Sequence, residues 1–202
     1  MTSHSHAHHG HAHDQGHAHH LNWATGLTLA FAAVEAGVGY WSNSLALLGD
    51  AGHMVTDAGA LILATLAAHV ARRPASVQHS YGFGRAEVVA ALANSLIMLV
   101  LALALLAGAV QRLQHPAPVQ GGAVLAVAAV GLAFNLVVLA LLLRGQRTLN
   151  IRAATLHVLG DALGSIAALT SGAVILATGW MRIDPLLTLV ICGLLLVGSV
   201  RV

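Results

Sequence analysis

The chain has 202 residues, 57% of them hydrophobic and only 8% charged, against roughly 45–50% and about 25% in a soluble globular domain. Aromatic residues make up 4%, so the apolar mass is Ala, Leu, Val and Gly. This balance excludes a disordered chain, a collagen, a nucleic-acid module and an ordinary soluble enzyme, and it fits a chain dissolved mostly in lipid. Cys192 has no second cysteine to pair with, which excludes an intrachain disulfide and a CxxC metal site.

In chain order, residues 1–20 come first, and nine of the twenty are His: His4, His6, His8, His9, His11, His13, His17, His19 and His20. The segment lacks large apolar residues up to that point and has no basic start before an apolar stretch, so it reads as a disordered tail rather than a signal peptide. Its imidazoles suit weak metal capture. Residues 21–202 follow as one domain. Apolar segments near 22–41, 45–70, 87–111, 121–143, 153–178 and 184–202 predict six membrane-spanning helices, an all-α membrane protein. Between them lie the turn WSNS (41–44), the polar loop ARRPASVQHSYGFGR (71–85), QRLQHPAP (111–118) with two prolines, the basic RGQRTLNIR (144–152) and GWMRIDP (179–185). A soluble bundle needs a polar outer face. Segments 87–111 and 121–143 offer only Glu87, Asn94, Ser95, Gln111 and Asn135.

The arginines orient the bundle. Arg72, Arg73, Arg85, Arg144, Arg147, Arg152 and Arg201 fall on the side of the N-terminus, and Arg112 and Arg182 on the other. The positive-inside bias therefore predicts cytoplasmic termini and a cytoplasmic His-rich tail. Trp23, Trp41 and Trp180 fit interfacial positions.

A charged group at the bilayer centre costs at least ~2.5–3.5 kcal/mol, so ionisable residues within the spans point to function. His53 and Asp57 are four apart in the second span, and so are His157 and Asp161 in the fifth. That spacing puts both members of a pair on one helix face. Two such pairs on facing helices supply two imidazole nitrogens and two carboxylate oxygens, the ligand set of a tetrahedral Zn2+ site. Two carboxylates also cancel the charge of a divalent ion. A single HxxxD is a weak signal, and two separate structural His–Asp pairs are the plain alternative. Two copies in spans so poor in charge favour a shared site.

Asp50 lies three residues before His53, on the same face. It reads as an acid near the pathway mouth, a proton acceptor, or a cap at the start of the second helix. The preceding Gly49 favours capping or solvent exposure. Glu35 in the first span suits a hydrogen bond to another helix or a proton relay rather than ligation. Asn94 and Asn135 read as interhelical glue. Gly52, and the GxxxG pair Gly160 and Gly164, predict close helix approach around the two His–Asp pairs. Cys192 reads as a small apolar filler.

The stretches NSLALLGDAGHMVTDAGAL (43–61), HSYGFGRAEVVAAL (79–92) and AATLHVLGDALGS (153–165) resemble the cation diffusion facilitator family, in its zinc-transporting branch, over residues 22–202. The resemblance implies six spans, cytoplasmic termini, a homodimer in a bacterial cytoplasmic membrane, and export of Zn2+ in exchange for protons. It carries over His53, Asp57, His157 and Asp161 as the transport site. Zn2+ is then the transported substrate, and no catalytic cofactor or nucleic-acid partner is expected. A loop metal site between the second and third spans is a further family feature. Here only His79 matches it, with Ser76 in the region of the expected acid and Phe83 where another ligand His can stand. Most members continue into a soluble cytoplasmic metal-binding domain. The sequence stops at Val202, so the expectation is a transmembrane domain without it, either a short form or a trimmed piece of a longer chain.

Three rivals follow from the same residues. One is an intramembrane zinc enzyme, but His53 is followed by Met54 and there is no HExxH glutamate to act as a base. Another is a membrane metal-binding protein that does not transport. The third is the same architecture with cobalt, nickel or cadmium as its main substrate.

Overall fold

Runs of Leu, Ala and Val, broken by short polar or Pro- and Gly-bearing turns, form six helices in the computed structural model. It describes residues 14–71, 85–144 and 149–200. In chain order these are α1 (Asp14–Ser42), α2 (Leu45–Ala71), α3 (Arg85–Gln114), α4 (Gly121–Arg144), α5 (Leu149–Thr178) and α6 (Ile183–Val200). Among the described residues all regular structure is helical. Leu45–Ala71, Val88–Gln114, Gly121–Arg144 and Ala154–Thr178 are long and apolar enough to cross a membrane, and Ile183–Gly193 is a shorter apolar helix.

The predicted segments match these helices within a few residues, except at the start of α1. Asp14–His20, read above as part of an irregular tail, are helical. Once the apolar span nucleates a helix, extending it costs little per residue, and His is only a mildly poor helix former. His4, His6, His8, His9, His11, His13 and His79 lie outside the described residues.

Two of the described turns have a local cause. Asn43 closes α1 with φ 58°, a left-handed conformation that Asn tolerates better than most residues. Ser44 then caps α2, its Oγ accepting from the Leu47 N–H at 3.2 Å. The Arg112 guanidinium at the end of α3 donates to the Asn43 carbonyl. Gly179 ends α5 at φ 70°, with its N–H bonded to the Ile175 carbonyl at 2.9 Å, the left-handed C-terminal position that glycine fills without a Cβ penalty.

Two buried clusters hold the helices together. Ala46 and Leu47 of α2 pack with Val124 and Ala128 of α4 and Ala168 and Ile175 of α5. Leu45, Leu105, Ala109 and Cys192 join α2, α3 and α6, so Cys192 is the buried filler expected of it. The outside is apolar instead of polar. Val88, Leu92, Leu96 and Val100 run as an exposed stripe down α3, as a lipid-facing helix requires.

The close approach differs from the one the glycine spacing suggests. A Cβ on Gly160 would meet open space, and one on Gly52 would meet Leu101 of α3, not α5. The tightest backbone crossing is between α4 and α5, where a Cβ on Gly121 would lie 2.9 Å from the Gly172 carbonyl oxygen and one on Gly172 would lie 2.7 Å from the Leu125 nitrogen. A GxxxG pair marks a helix face able to approach something, and here only Gly164 of the pair does so.

Candidate metal centre

The helices α2 and α5 pack against each other, each presenting its His–Asp pair. The sequence puts His53 and Asp57 one turn apart on α2, and His157 and Asp161 one turn apart on α5. The imidazole of one helix comes to the carboxylate of the other. His53 Nε2 lies 3.4 Å from Asp161 Oδ1, and His157 Nε2 lies 3.2 Å from Asp57 Oδ2. Within each helix the corresponding distances are 3.3 Å for His53 to Asp57 and 3.8 Å for His157 to Asp161. The two rings face each other at 5.8 Å, tilted by 50°.

One ligand atom from each of the four residues lies within 4.8 Å of all the others. Bonds of ~2.0–2.2 Å in a tetrahedral Zn2+ site place neighbouring ligand atoms about 3.3–3.6 Å apart. The four His–Asp separations, 3.2 to 3.8 Å, span that range. Two of the inward atoms, Asp57 Oδ2 and Asp161 Oδ1, are buried without a hydrogen-bond partner among the described residues. Buried carboxylate oxygens left in that state are costly unless a cation completes them. Asp57 sits twelve residues into α2, ~18 Å from its start at 1.5 Å per residue. The cluster thus lies at mid-helix, with the side chain of His157 half exposed as its open face.

Of the neighbouring acids, Asp50 departs from the position that Gly49 suggested. Asp50 neither caps α2 nor faces solvent. Ser44 is the cap, and Asp50 lies in the second turn, 5% exposed, accepting from Ser165 Oγ at 3.2 Å. Ser165 in turn accepts from Asn135 Nδ2 at 3.2 Å, so Asn135 does join α4 to α5. Asn94 does not act as glue: its side-chain carbonyl is buried without a partner among the described residues. Glu35 is fully buried, with neither carboxyl oxygen hydrogen-bonded there. His17, His19 and His20 lie on the first turns of α1.

Two residues escaped the sequence reading. Ser165 falls four residues after Asp161, on the same helix face, and that register was the available signal. Asp184 is fully buried and accepts from Ser44 Oγ at 2.6 Å, the Leu45 N–H at 2.7 Å and Ser171 Oγ at 3.1 Å. Its signal was faint, an acid just before Pro185 at the head of an apolar span.

Gly164 leaves room for the Asp50 carboxyl between α2 and α5 beside the cluster. A Cβ there would lie 2.6 Å from Asp50 Oδ1, whereas one on Gly160 has nothing within 4 Å. Gly164→Ala is therefore expected to displace the Asp50 carboxyl from its Ser165 bond and weaken divalent-metal binding at least about tenfold, as disturbed supporting contacts do. Gly160→Ala should bind as the parent does. Metal titration of the two variants checks this, and equal affinities would show that Gly164 does not set the cluster.

The family model for the cation efflux transmembrane domain matches residues 23–202. The chain belongs to the cation efflux family. The match runs from within α1 to the end of the chain and contains all four clustered residues. As a cation efflux transmembrane domain the chain is a multi-pass membrane protein of a transporter family, not an enzyme. It is 41% identical over 202 residues to the zinc transporter ZitB of Escherichia coli, covering 98% of this chain and 64% of the relative. It is 38% identical over 166 residues to the cadmium, cobalt and zinc/H(+)-K(+) antiporter of Bacillus velezensis, covering 81% and 53%. It is 36% identical over 184 residues to the metal cation efflux system protein CzcD of Cupriavidus metallidurans, covering 91% and 58%. The chain thus spans between 53% and 64% of the length of these relatives.

Proposed function

We propose that this cation efflux domain exports Zn2+ and similar divalent cations from the cytoplasm in exchange for protons, with His53, Asp57, His157 and Asp161 as the transport ligands. The observation that carries this reading is the convergence of four hard-to-bury ligand atoms, two nitrogens and two oxygens, from two helices. Two carboxylates and two neutral imidazoles match a divalent ion in charge and a tetrahedral one in number. Cys192 belongs to the α3–α6 side of the core, so soft thiolate ligation plays no part and Zn2+ is favoured over Cu+. Relatives named for zinc transport support the same cargo.

The exchange follows from the ligand chemistry. An imidazole nitrogen holds a proton or a metal ion, never both. Zn2+ arriving from the cytoplasm displaces protons, and protons arriving from outside displace Zn2+. In this reading all six helices cross a bacterial cytoplasmic membrane with both termini in the cytoplasm, in keeping with the arginine distribution. The protein works as a homodimer, and the His-rich tail collects metal near the entrance.

The test is flux. Purified protein in proteoliposomes, with a zinc dye and a pH dye inside, is expected to take up zinc when the interior is the more acidic side and to release protons outward as it does so. Zinc uptake that leaves the pH gradient intact would overturn the exchange, and absence of metal flux would overturn transport.

A relative named for cadmium and cobalt as well as zinc favours a second reading, in which the same site carries several divalent ions. Replacing an imidazole with a carboxylate removes a ligand that suits zinc and leaves one nitrogen with three carboxylates, a set that discriminates less. His53→Asp is accordingly expected to shift competition transport toward cadmium several-fold. Unchanged preference would show that selectivity is set elsewhere.

A further inference from the structure

Behind the four-ligand cluster lies a second set of buried polar side chains that ligand exchange does not use. Glu35 of α1 is fully buried, and both its carboxyl oxygens lack a hydrogen-bond partner among the described residues. Its Oε1 lies against the α4 backbone, where a Cβ on Gly131 would come within 3.1 Å. One turn along α4 from Gly131, Asn135 begins the chain of hydrogen bonds through Ser165 to Asp50. Asp50 is itself buried and seated in the notch left by Gly164. Two carboxyls from α1 and α2 thus share one polar interior with α4 and α5.

The charged groups near enough to act on Glu35 are Asp50 and Asp161, and those acting on Asp50 are Asp161 and His53. Among the described residues no arginine pairs with either acid, and α4 offers only Asn135 to this interior. A carboxylate kept from water and from any cation takes up a proton instead of staying charged.

We infer that Glu35, with Asp50, forms a proton station separate from the four metal ligands: it holds a proton while the cluster is empty and gives it to water when a divalent cation enters. The inference rests on the reading of the cluster as a divalent-cation site. Asp50 is one turn from His53, and Ser165 one turn from Asp161, about 5 Å along each axis. A doubly charged ion at that range stabilises an ionised carboxylate through a low-dielectric interior. The O–H bond of the carboxyl breaks, the proton goes to water, and the carboxylate charge stays opposite the ion. When the ion leaves, the proton returns. Coupling then acts through the field as well as through competition for the ligand atoms.

Infrared difference spectroscopy on the whole purified protein tests this. The metal-free protein is expected to show the carbonyl stretch of a protonated carboxyl, and Zn2+ is expected to remove it. Glu35→Gln should lack the band and release about one proton fewer per zinc bound, while Glu35→Asp should retain the band. Absence of the band from the metal-free parent, or its persistence unaltered in Glu35→Gln, would overturn the station. A band indifferent to Zn2+, in protein whose Co2+ spectrum shows a filled tetrahedral cluster, would overturn the coupling. If neither Zn2+ nor Co2+ binds, the metal reading fails and the coupling fails with it, while the band still reports whether Glu35 is protonated.

Discussion

Asp57→Ala is expected to abolish zinc flux and to lower Zn2+ affinity by more than about 100-fold, since losing a ligand outweighs the 10–100-fold effect of disturbing a ligand's support. Asp57 Oδ2 is the atom that faces both imidazoles, 3.3 Å from His53 Nε2 and 3.2 Å from His157 Nε2. Its removal takes away one of four ligands and one of two negative charges, so a bound divalent ion would keep an unbalanced charge in a low-dielectric interior. The fold should survive. The carboxylate is only partly buried and its inward oxygen makes no hydrogen bond, so an alanine breaks no hydrogen-bonded tie between helices. Flux in proteoliposomes, the visible spectrum of bound Co2+ and a melting curve in detergent give the three readings together. Loss of flux and of the tetrahedral spectrum, with an unchanged Tm, is the expected result. Near-parental flux would show that the metal path runs elsewhere.

The contrast between what the sequence disclosed and what it hid has a physical basis. The HxxxD pairs were legible because helix geometry alone puts residues four apart on one face, and charge in an apolar span announces itself against its background. The six segments were legible for the same reason, since length and apolar content decide a span. What stayed hidden depends on which faces meet. Gly160 and Gly164 share one spacing, yet only Gly164 backs onto another helix. The pair that does bring two backbones together, Gly121 and Gly172, is 51 residues apart in the chain. Asp50 looked like a cap because Gly49 precedes it. Ser44, six residues earlier, already held that position. Helix starts are set by whichever side chain first reaches the free N–H groups, and a single sequence offers several candidates.

Asp184→Ala is expected to be the most destabilising substitution of a single carboxyl here, at about 2–4 kcal/mol, the cost of leaving buried donors without a charged acceptor. Three donors converge on this carboxyl: Ser44 Oγ, the Leu45 N–H and Ser171 Oγ. Two of them belong to the start of α2 and one to α5, while Asp184 itself sits in the first turn of α6. A carboxylate there also meets the positive ends of α2 and α6 together. Its loss unties three helices at one end of the bundle, and an alanine leaves their donors buried. Asp184→Asn keeps the shape but turns one acceptor into a donor facing hydroxyls and an amide, so it should fall between alanine and the parent. Thermal unfolding in detergent reads the order, and hydrogen exchange should quicken first at Leu45 to Leu47. His53 lies eight residues beyond Leu45, so metal affinity should fall moderately while the tetrahedral Co2+ spectrum persists. This inverts the Asp57→Ala pattern, where binding goes and stability stays. If Asp184→Ala kept its Tm but lost the tetrahedral spectrum, the carboxyl would belong to the metal path and not to the tie between helices.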